Sequence, residues 1–215
     1  MGRITPLRLC LIRHGRTRWN KELIFRGGAD VPLDAAGRAQ ARALADRLRP
    51  ARIAAVYSGP LQRARRTAEL IAQPHALPVT LLPGLDDMRF GAWEGRPIAA
   101  VRRAQPALFG RWQRQPWRLR IPGGTTLRQI EARSWRALRG IVRRHRGGQT
   151  VAVVTHRVVL KLLVLKLLGA GSTGFWRVAL DPCSLTVFEW DGSDFTLRLF
   201  NDTSHLRRRG GLADF

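Results

Sequence analysis

Short apolar runs alternate along the chain with segments that have a helical period. The apolar runs predict buried strands over residues 7–13, 53–58, 79–82 and 151–155. Apolar positions three and four residues apart predict helices over residues 36–49, 60–73, 127–146 and 157–168. Residues 184–190 and 195–200 alternate around Asp191-Gly192, which predicts an antiparallel hairpin.

Strands that alternate with helices are typical of a largely parallel sheet covered on both faces. We therefore predict a three-layer α/β/α sandwich with a mixed, mostly parallel sheet. Residues 84–124 are less regular and rich in Gly, Pro and Trp, so we expect a helical and loop insertion there, folded over the active site. The length of 215 residues fits a single domain over residues 1–215.

Three of the predicted strands end in polar side chains. Arg13 and His14 stand at the end of the first strand. Ser58 ends the second strand and is followed by Arg63. His156 follows the strand that ends at residue 155. In sheets of this kind, ligands bind outside the carboxyl ends of the strands. A metal site is one interpretation of the two histidines, because imidazole is a common ligand. The carboxylates and thiols that would complete a metal shell are missing nearby, so we expect no metal and no cofactor.

The charge of the chain is strongly positive. There are 38 Lys and Arg against 15 Asp and Glu, which gives a net charge of +23, and nearly all of the basic residues are arginines. Since they are spread along the chain, we interpret most of them as solvated helix faces. A catalytically silent protein that binds nucleic acid or another polyanion remains an alternative of a different class, and the seven tryptophans could stack on bases. No recognisable nucleic-acid-binding motif supports it, so nucleic acid is not the expected partner.

Hydropathy indicates a protein without a membrane partner. No apolar run approaches the ~18 residues that a membrane-spanning helix requires. The apolar stretch from residue 4 to residue 12 contains Arg8 and is followed at once by Arg13, so it does not resemble a signal peptide. We expect a cytoplasmic location.

Arginine and histidine at strand ends suit a phosphate monoester as substrate. Guanidinium groups bind phosphate oxygens through two hydrogen bonds and stay charged. A neutral imidazole can attack phosphorus and hold the phosphoryl group covalently. The leaving oxygen then needs a proton, which a carboxyl group near the negative phosphate can supply because its pKa is raised there. Two histidines, two arginines and one acid could perform this reaction without a metal.

Several segments of the chain carry recognisable motifs in a fixed order: LIRHGRT at 11–17, RGGADVPL at 26–33, YSGPLQRA at 57–64, LDDMRFGAWEG at 85–95, and PGG at 122–124 followed by VVTH at 153–156. Together they resemble the motifs of the histidine phosphatase superfamily, in its phosphoglycerate-mutase-like branch. The resemblance covers almost the whole chain. It implies the same α/β fold and a phosphohistidine mechanism.

The resemblance also implies roles for four residues at the strand ends. His14 would be the nucleophile that becomes phosphohistidine. Arg13 and Arg63 would bind the phosphoryl oxygens, and His156 would stabilise the charge of the transition state. From spacing alone, the better interpretation of Arg63 is a surface residue of a helix.

Two further roles follow from the same resemblance. Asn20 would line the phosphate pocket, and Asp87 stands where the family usually has the glutamate that acts as general acid and then as base. Asp87 is one methylene shorter than that glutamate, and a turn residue beside Asp86 is the alternative interpretation. Glu94 is a second candidate acid, although its motif position is usually structural.

Two arginines depart from the family pattern. Arg16 stands where Glu or Gln is common, and Arg157 stands where glycine usually follows the second histidine. Our hypothesis is that both bind a second anionic group of the substrate. The alternative is that they face solvent or pair with Asp30 or Glu22.

The expected function is metal-independent hydrolysis of phosphate monoesters of small metabolites through a phosphohistidine. The partner would be a small anionic phosphorylated metabolite. Residues 84–124 are too few for the insert of the glycolytic mutases, which favours a phosphatase, but phosphoryl transfer of the cofactor-dependent phosphoglycerate mutase type stays open as an alternative. The sequence also leaves a homodimer open.

Overall fold

A six-stranded sheet forms the centre of the computed structural model, which describes residues 5–206. The strands are β1 (Leu7–Arg13), β2 (Ile53–Ser58), β3 (Val79–Leu81), β4 (Thr150–Thr155), β5 (Leu185–Trp190) and β6 (Phe195–Asp202). Their order in the sheet is β3-β2-β4-β1-β5-β6. The first four strands in this order are parallel to one another, whereas β5 is antiparallel to both of its neighbours, β1 and β6. This confirms the predicted mixed, mostly parallel sheet.

Seven α-helices surround the sheet: α1 (Arg18–Lys21), α2 (Ala35–Leu48), α3 (Gln62–Ala72), α4 (Ile98–Ala104), α5 (Pro106–Arg114), α6 (Leu127–Arg144) and α7 (Arg157–Leu167), counted within residues 5–206. Alternate residues of the central strands belong to two separate cores. Leu9 and Leu11 of β1 lie in the core that contains residues of α6 and α7. Cys10 and Ile12 lie in the core that contains residues of α2 and α3. Both faces of the sheet are therefore covered, as expected for three layers.

Two of the helix starts follow directly from local sequence. Asp34 precedes α2, and its carboxylate accepts a hydrogen bond from the backbone N–H of Gly37 over 2.7 Å. Thr126 precedes α6 and forms a reciprocal capping box with Gln129. Such side-chain caps satisfy N–H groups that have no partner inside the helix.

The start of α3 depends on a residue from elsewhere in the chain. We predicted a start at residue 60, but the helix begins at Gln62. Asp30 accepts a hydrogen bond from the Gln62 backbone N–H over 2.6 Å and one from its side-chain amide over 3.1 Å. A cap supplied from a distant loop has no signature in the local sequence.

The irregular segment 84–124 contains α4, α5 and short 3-10 turns. Pro106 opens α5 and lacks an N–H, which separates the two helices at Gln105. Aromatic side chains, among them Trp93 and Phe109, anchor the segment in the core next to α7. None of the helices found in residues 5–206 combines the length and the apolar character needed to cross a bilayer.

Candidate active site

The carboxyl ends of β1 and β4 bring the two predicted histidines together. The strands are parallel neighbours, with Arg13 paired in register with Thr155. The backbone N–H of His14 donates to the Thr155 carbonyl oxygen over 3.0 Å, which continues the ladder past the last residue of β1. As a result, the ring centroids of His14 and His156 lie 5.2 Å apart, at an angle of 57°.

His14 is held in one tautomer. Its Nδ1 lies 2.7 Å from the carbonyl oxygen of Gly15, which can only accept, so Nδ1 carries the proton and Nε2 carries the lone pair. Burial lowers the pKa of His14 well below its usual value, and the positive charges of Arg63, His156, Arg13 and Arg26 lower it further. The imidazole is therefore neutral near pH 7 and can act as a nucleophile through Nε2.

Gly15 is required by the close packing behind His14. A Cβ at this position would lie 2.6 Å from the carbonyl oxygen of Gly37, in the first turn of α2. The Gly15 backbone N–H also donates to Oγ1 of Thr67 over 3.1 Å. The turn after β1 is thus fixed to both α2 and α3.

Arg13 and Arg63 are fully buried below His14. Nη1 of Arg13 donates to the Leu180 carbonyl oxygen over 2.6 Å. The terminal nitrogens of Arg63 donate to the carbonyl oxygens of Ala29 and Gly27, over 2.7 and 2.8 Å. The interpretation of Arg63 as a surface residue is therefore wrong, because the helix presents this side chain to the interior.

Asp87 lies between Arg63 and His156. Its Oδ2 accepts a hydrogen bond from Nη2 of Arg63 over 2.9 Å and lies 3.6 Å from Nδ1 of His156. Burial raises the pKa of this carboxyl group, but the electrostatic interactions with His156, Arg63 and Arg26 outweigh that effect and hold the pKa below its usual value. The side chain is buried in the site, so it is more than a residue of an exposed turn.

The ring of His156 is enclosed on all sides. Burial lowers its pKa to about 3, Asp87 acts in the opposite direction, and Arg63, Arg133 and Arg26 lower it further. Within residues 5–206, neither ring nitrogen has a hydrogen-bond partner. A buried polar atom is normally hydrogen-bonded, so these two nitrogens have hydrogen-bonding capacity that the described residues leave unused.

A cavity opens above His14 and Asp87. Of the predicted substrate-binding residues, Asn20 and Arg157 line it, and so does Arg26. Its other walls are largely apolar, formed by Leu23, Ile24, Phe25, Phe90, Ile98 and Val158. The cavity therefore combines the cationic side chains of Arg26 and Arg157 with apolar side chains that suit the carbon skeleton of a ligand.

Arg26 is a residue that our sequence reasoning missed. It belongs to the second motif but had no assigned role. Burial lowers its pKa to about 9, and the positive charges of Arg13 and Arg157 act in the same direction. Among the described residues, its buried Nε has no hydrogen-bond partner. The signal that the sequence offered was the position of Arg26, next to a glycine pair and ahead of a turn.

The structure does not bring Arg16 into this set. Nε of Arg16 forms an ion pair with Oδ2 of Asp34 over 2.8 Å, and Arg16 is not among the described residues that line the cavity. Neither of the alternative partners that we considered is involved: Glu22 pairs with Arg18, and Asp30 caps α3. A carboxylate at the start of α2 thus holds Arg16 apart from the side chains that line the cavity.

Glu94 has a structural position. Its Oε1 accepts hydrogen bonds from the backbone N–H groups of Gly28 and Phe90, over 2.9 and 2.8 Å. Asp87, by contrast, lines the cavity and accepts a hydrogen bond from Arg63. Within residues 5–206, no three His, Cys, Asp or Glu side chains are grouped as metal ligands.

Curated relatives match nearly the whole chain. The bifunctional protein Rv2228c of Mycobacterium tuberculosis is 38% identical over 208 residues, which cover 95% of this chain and 56% of that protein. The chain thus spans about half the length of that relative. Phosphoserine phosphatase 1 of Hydrogenobacter thermophilus is 30% identical over 200 residues, covering 93% of this chain and 94% of that one.

Solved structures have the same fold. The YhfR protein of Bacillus stearothermophilus superposes with a TM-score of 0.88 at 32% identity, covering 94% of this chain and all of the other. An alpha-ribazole phosphatase from Shigella flexneri gives a TM-score of 0.83 at 29% identity, covering 91% and 96% of the two chains. The model of the histidine phosphatase superfamily (branch 1) matches residues 9–203. The chain therefore belongs to the histidine phosphatase superfamily.

Proposed function

We propose that this chain hydrolyses phosphate monoesters of small metabolites through a phosphohistidine on His14, without a metal ion. The observation that carries this proposal is the hydrogen-bonded Nδ1 of His14, which leaves the lone pair on Nε2 of a neutral ring. The relatives named above as phosphatases support the same class of reaction. We place the activity in the cytoplasm, where free buried thiols such as Cys10 and Cys183 are ordinary.

In the first step, Nε2 of His14 attacks phosphorus and the bond from phosphorus to the ester oxygen breaks. Arg13 and Arg63 neutralise the negative charge on the phosphoryl oxygens, and His156 donates to one of them. We add Arg26 to this set, because its Nε is buried at the same cavity without a partner among the described residues. Asn20 completes the phosphate-binding wall.

Asp87 carries the proton in both steps. In the first step its carboxyl group protonates the leaving alkoxide. In the second step the carboxylate accepts a proton from water, the water oxygen bonds to phosphorus, and the bond to Nε2 breaks, which releases phosphate and restores His14. A bound phosphoryl group places negative charge beside Asp87 and compensates the positive charges of Arg63 and Arg26. Substrate binding therefore raises the pKa of Asp87, which these arginines otherwise lower.

The acid form of Asp87 can come from the substrate itself. The second ionisation of a phosphate ester has a pKa of about 6. A complex of a monoanionic ester with ionised Asp87 contains the same number of protons as a complex of a dianionic ester with protonated Asp87. The low pKa of Asp87 before binding is therefore compatible with its role as general acid.

Arg157 and the apolar residues around it form the part of the site that meets the alcohol portion of the ester. We propose that Arg157 binds a second anionic group there, such as a carboxylate or another phosphate. We assign binding of the second anionic group to Arg157 and no longer to Arg16, because Arg16 pairs with Asp34. Phosphoryl transfer to a second metabolite, as in a mutase, is the alternative fate of the same phosphohistidine.

A rapid-quench experiment tests the central step. The enzyme is mixed with an ester labelled in its phosphate, stopped within one turnover, and assayed for an acid-labile, base-stable label on the protein. We expect the label on His14 and its loss in His14→Ala, with His75→Ala as the control outside the site. Label released only to water identifies a phosphatase, and label passed to an added phosphorylated acid identifies a mutase. Binding of DNA without any labelling would instead support the polyanion-binding alternative.

A further inference from the structure

The backbone that carries Asp87 is held by side chains at five consecutive carbonyl groups. Nη1 of Arg133 donates to the carbonyl oxygens of Pro83 and Gly84, over 3.0 and 3.2 Å. Nη2 of Arg133 donates to those of Asp86 and Asp87, over 2.6 and 2.7 Å. The remaining carbonyl oxygen, that of Leu85, accepts a hydrogen bond of 2.6 Å from Oγ1 of Thr155.

Both of these side chains belong to rigid elements of the fold. Arg133 lies in the middle of α6, and Thr155 is the last residue of β4, directly before His156. The loop also packs tightly on α6 at Gly84, where a Cβ would lie only 2.7 Å from the Cβ of Ala137. The loop is therefore fixed to the helix that covers one face of the sheet and to the strand that carries the second histidine.

The short side chain of Asp87 makes this attachment important. An aspartate carboxylate is one methylene closer to its own backbone than a glutamate carboxylate, so it has fewer rotamers with which to correct a displaced loop. A displacement of about 1 Å at a reacting group can reduce the rate by about 10²-fold. The position of the Asp87 carboxylate relative to Arg63 and His156 thus depends on where the backbone of residues 86 and 87 is held.

We propose that Arg133 is a positioning residue for the general acid, and that its four hydrogen bonds place the Asp87 carboxylate at the leaving oxygen. This inference rests on the proposed function, in which Asp87 transfers the proton. A guanidinium group suits the role because its planar fork can donate to several carbonyl oxygens at once, whereas an ammonium group is a compact point charge.

The replacement Arg133→Lys tests the inference, because it keeps the positive charge and removes the fork. We expect kcat for esters of poor leaving groups, such as alkyl phosphates, to fall about tenfold to a hundredfold while KM stays near its original value. p-Nitrophenyl phosphate needs little help from an acid and should lose less than about threefold. Arg136→Lys, on the exposed side of the same helix, is the matched control and should change neither substrate.

A double-mutant cycle separates this inference from the proposed function. If Arg133 acts through Asp87, then Arg133→Lys should have little further effect on kcat in the Asp87→Asn background. If Asp87→Asn alone leaves the leaving-group dependence unchanged, the acid role in the proposed function is wrong. If Asp87→Asn reduces kcat more for esters of poor leaving groups but Arg133→Lys does not, only the role of Arg133 is overturned.

A purely structural role for Arg133 would give a different result. Equal losses with both classes of ester, together with a lowered melting temperature in Arg133→Lys, would contradict the proposal. Should Arg133→Lys fold poorly, Thr155→Val offers a second variant, since it releases the Leu85 carbonyl of the same loop. A uniform loss with that variant as well would overturn positioning as the explanation.

Discussion

Arg63 donates to the Asp87 carboxylate over 2.9 Å, both side chains are buried, and Asp87 lines the cavity. The ion pair joins the residue proposed to bind the phosphoryl group to the residue proposed to transfer the proton. Because Arg63 also donates to the carbonyl oxygens of Gly27 and Ala29, one guanidinium group connects α3, the loop between α1 and α2, and Asp87.

The first prediction concerns proton transfer by Asp87. We expect Asp87→Asn to reduce kcat/KM for alkyl phosphates by about 10²- to 10⁴-fold, the usual contribution of general acid–base catalysis. p-Nitrophenyl phosphate should be affected far less, because its leaving group is stable without a proton. Steady-state kinetics over esters of graded leaving-group pKa measure this directly.

Asp86→Asn is the matched control for that series. Oδ1 of Asp86 accepts a hydrogen bond from the Asp87 backbone N–H, and an asparagine oxygen can accept the same bond. The control should leave the dependence on leaving-group pKa unchanged. An Asp87→Asn variant that lost the same factor on every ester would show that Asp87 has a structural role.

The second prediction is the dependence of the rate on pH. The pKa of His14 is well below its usual value, so we expect the proposed nucleophile to stay neutral and active as the pH falls below 6.5. Since the ester monoanion supplies the proton, kcat/KM for alkyl phosphates should fall with unit slope above a pH of about 6. A rate that rose through this range with the same substrates would contradict the assignment.

The third prediction concerns selectivity at Arg157. We expect Arg157→Ala to reduce kcat/KM for esters with a second anionic group about 10- to 150-fold more than for esters of neutral alcohols, because a charged hydrogen bond is worth about 1.5–3 kcal/mol. Arg16→Ala is the control, because Arg16 is paired with Asp34. Equal losses on both classes of ester in Arg157→Ala would remove the second anion subsite.

The fourth prediction concerns stability in acid. Burial lowers the pKa of His156 from 6.5 to about 3, so the unfolded chain binds a proton that the folded chain does not. The free energy of unfolding should therefore be highest above pH 6.5 and fall between pH 6.5 and 3, with this residue contributing up to about 1.4 kcal/mol per pH unit.

Urea unfolding of His156→Gln at several pH values measures that contribution. The variant should lose less stability than the original chain on acidification, because it no longer carries this titrating group. His75→Gln provides the comparison with a histidine outside the site. Identical pH dependence in His156→Gln and the original chain would be inconsistent with a neutral, buried His156.

Much of the fold could be predicted because each strand and helix has its own pattern of apolar and polar residues in the local sequence. The bounds of β1 and β2 agree with the apolar runs, and the ends of α2 and α6 differ from prediction by only one or two residues. The start of α3 differs because its cap, Asp30, comes from another loop. In the irregular segment, the break at Gln105 depends on Pro106, and the remaining turns follow from packing that has no period in the sequence.

The site was predicted as far as its motifs extend. His14, Asp87 and His156 are brought together, with Arg13 and Arg63 buried beneath them. Arg26 and Arg133 were not found, because one arginine resembles another in a chain in which five of the seven α-helices within residues 5–206 carry two or more. Only the folded structure distinguishes a guanidinium group that faces solvent from one that meets four carbonyl oxygens.

The pairing of β1 with β4 also makes the proposed site depend on two segments that lie far apart in the sequence, because β4 follows β1 only after α6. A nascent chain that ends before β4 already contains His14 and Asp87, yet it lacks the strand that brings the second imidazole beside them. The proposed reaction therefore requires translation through β4, and a chain interrupted before that strand would hold the proposed nucleophile and acid without a complete site.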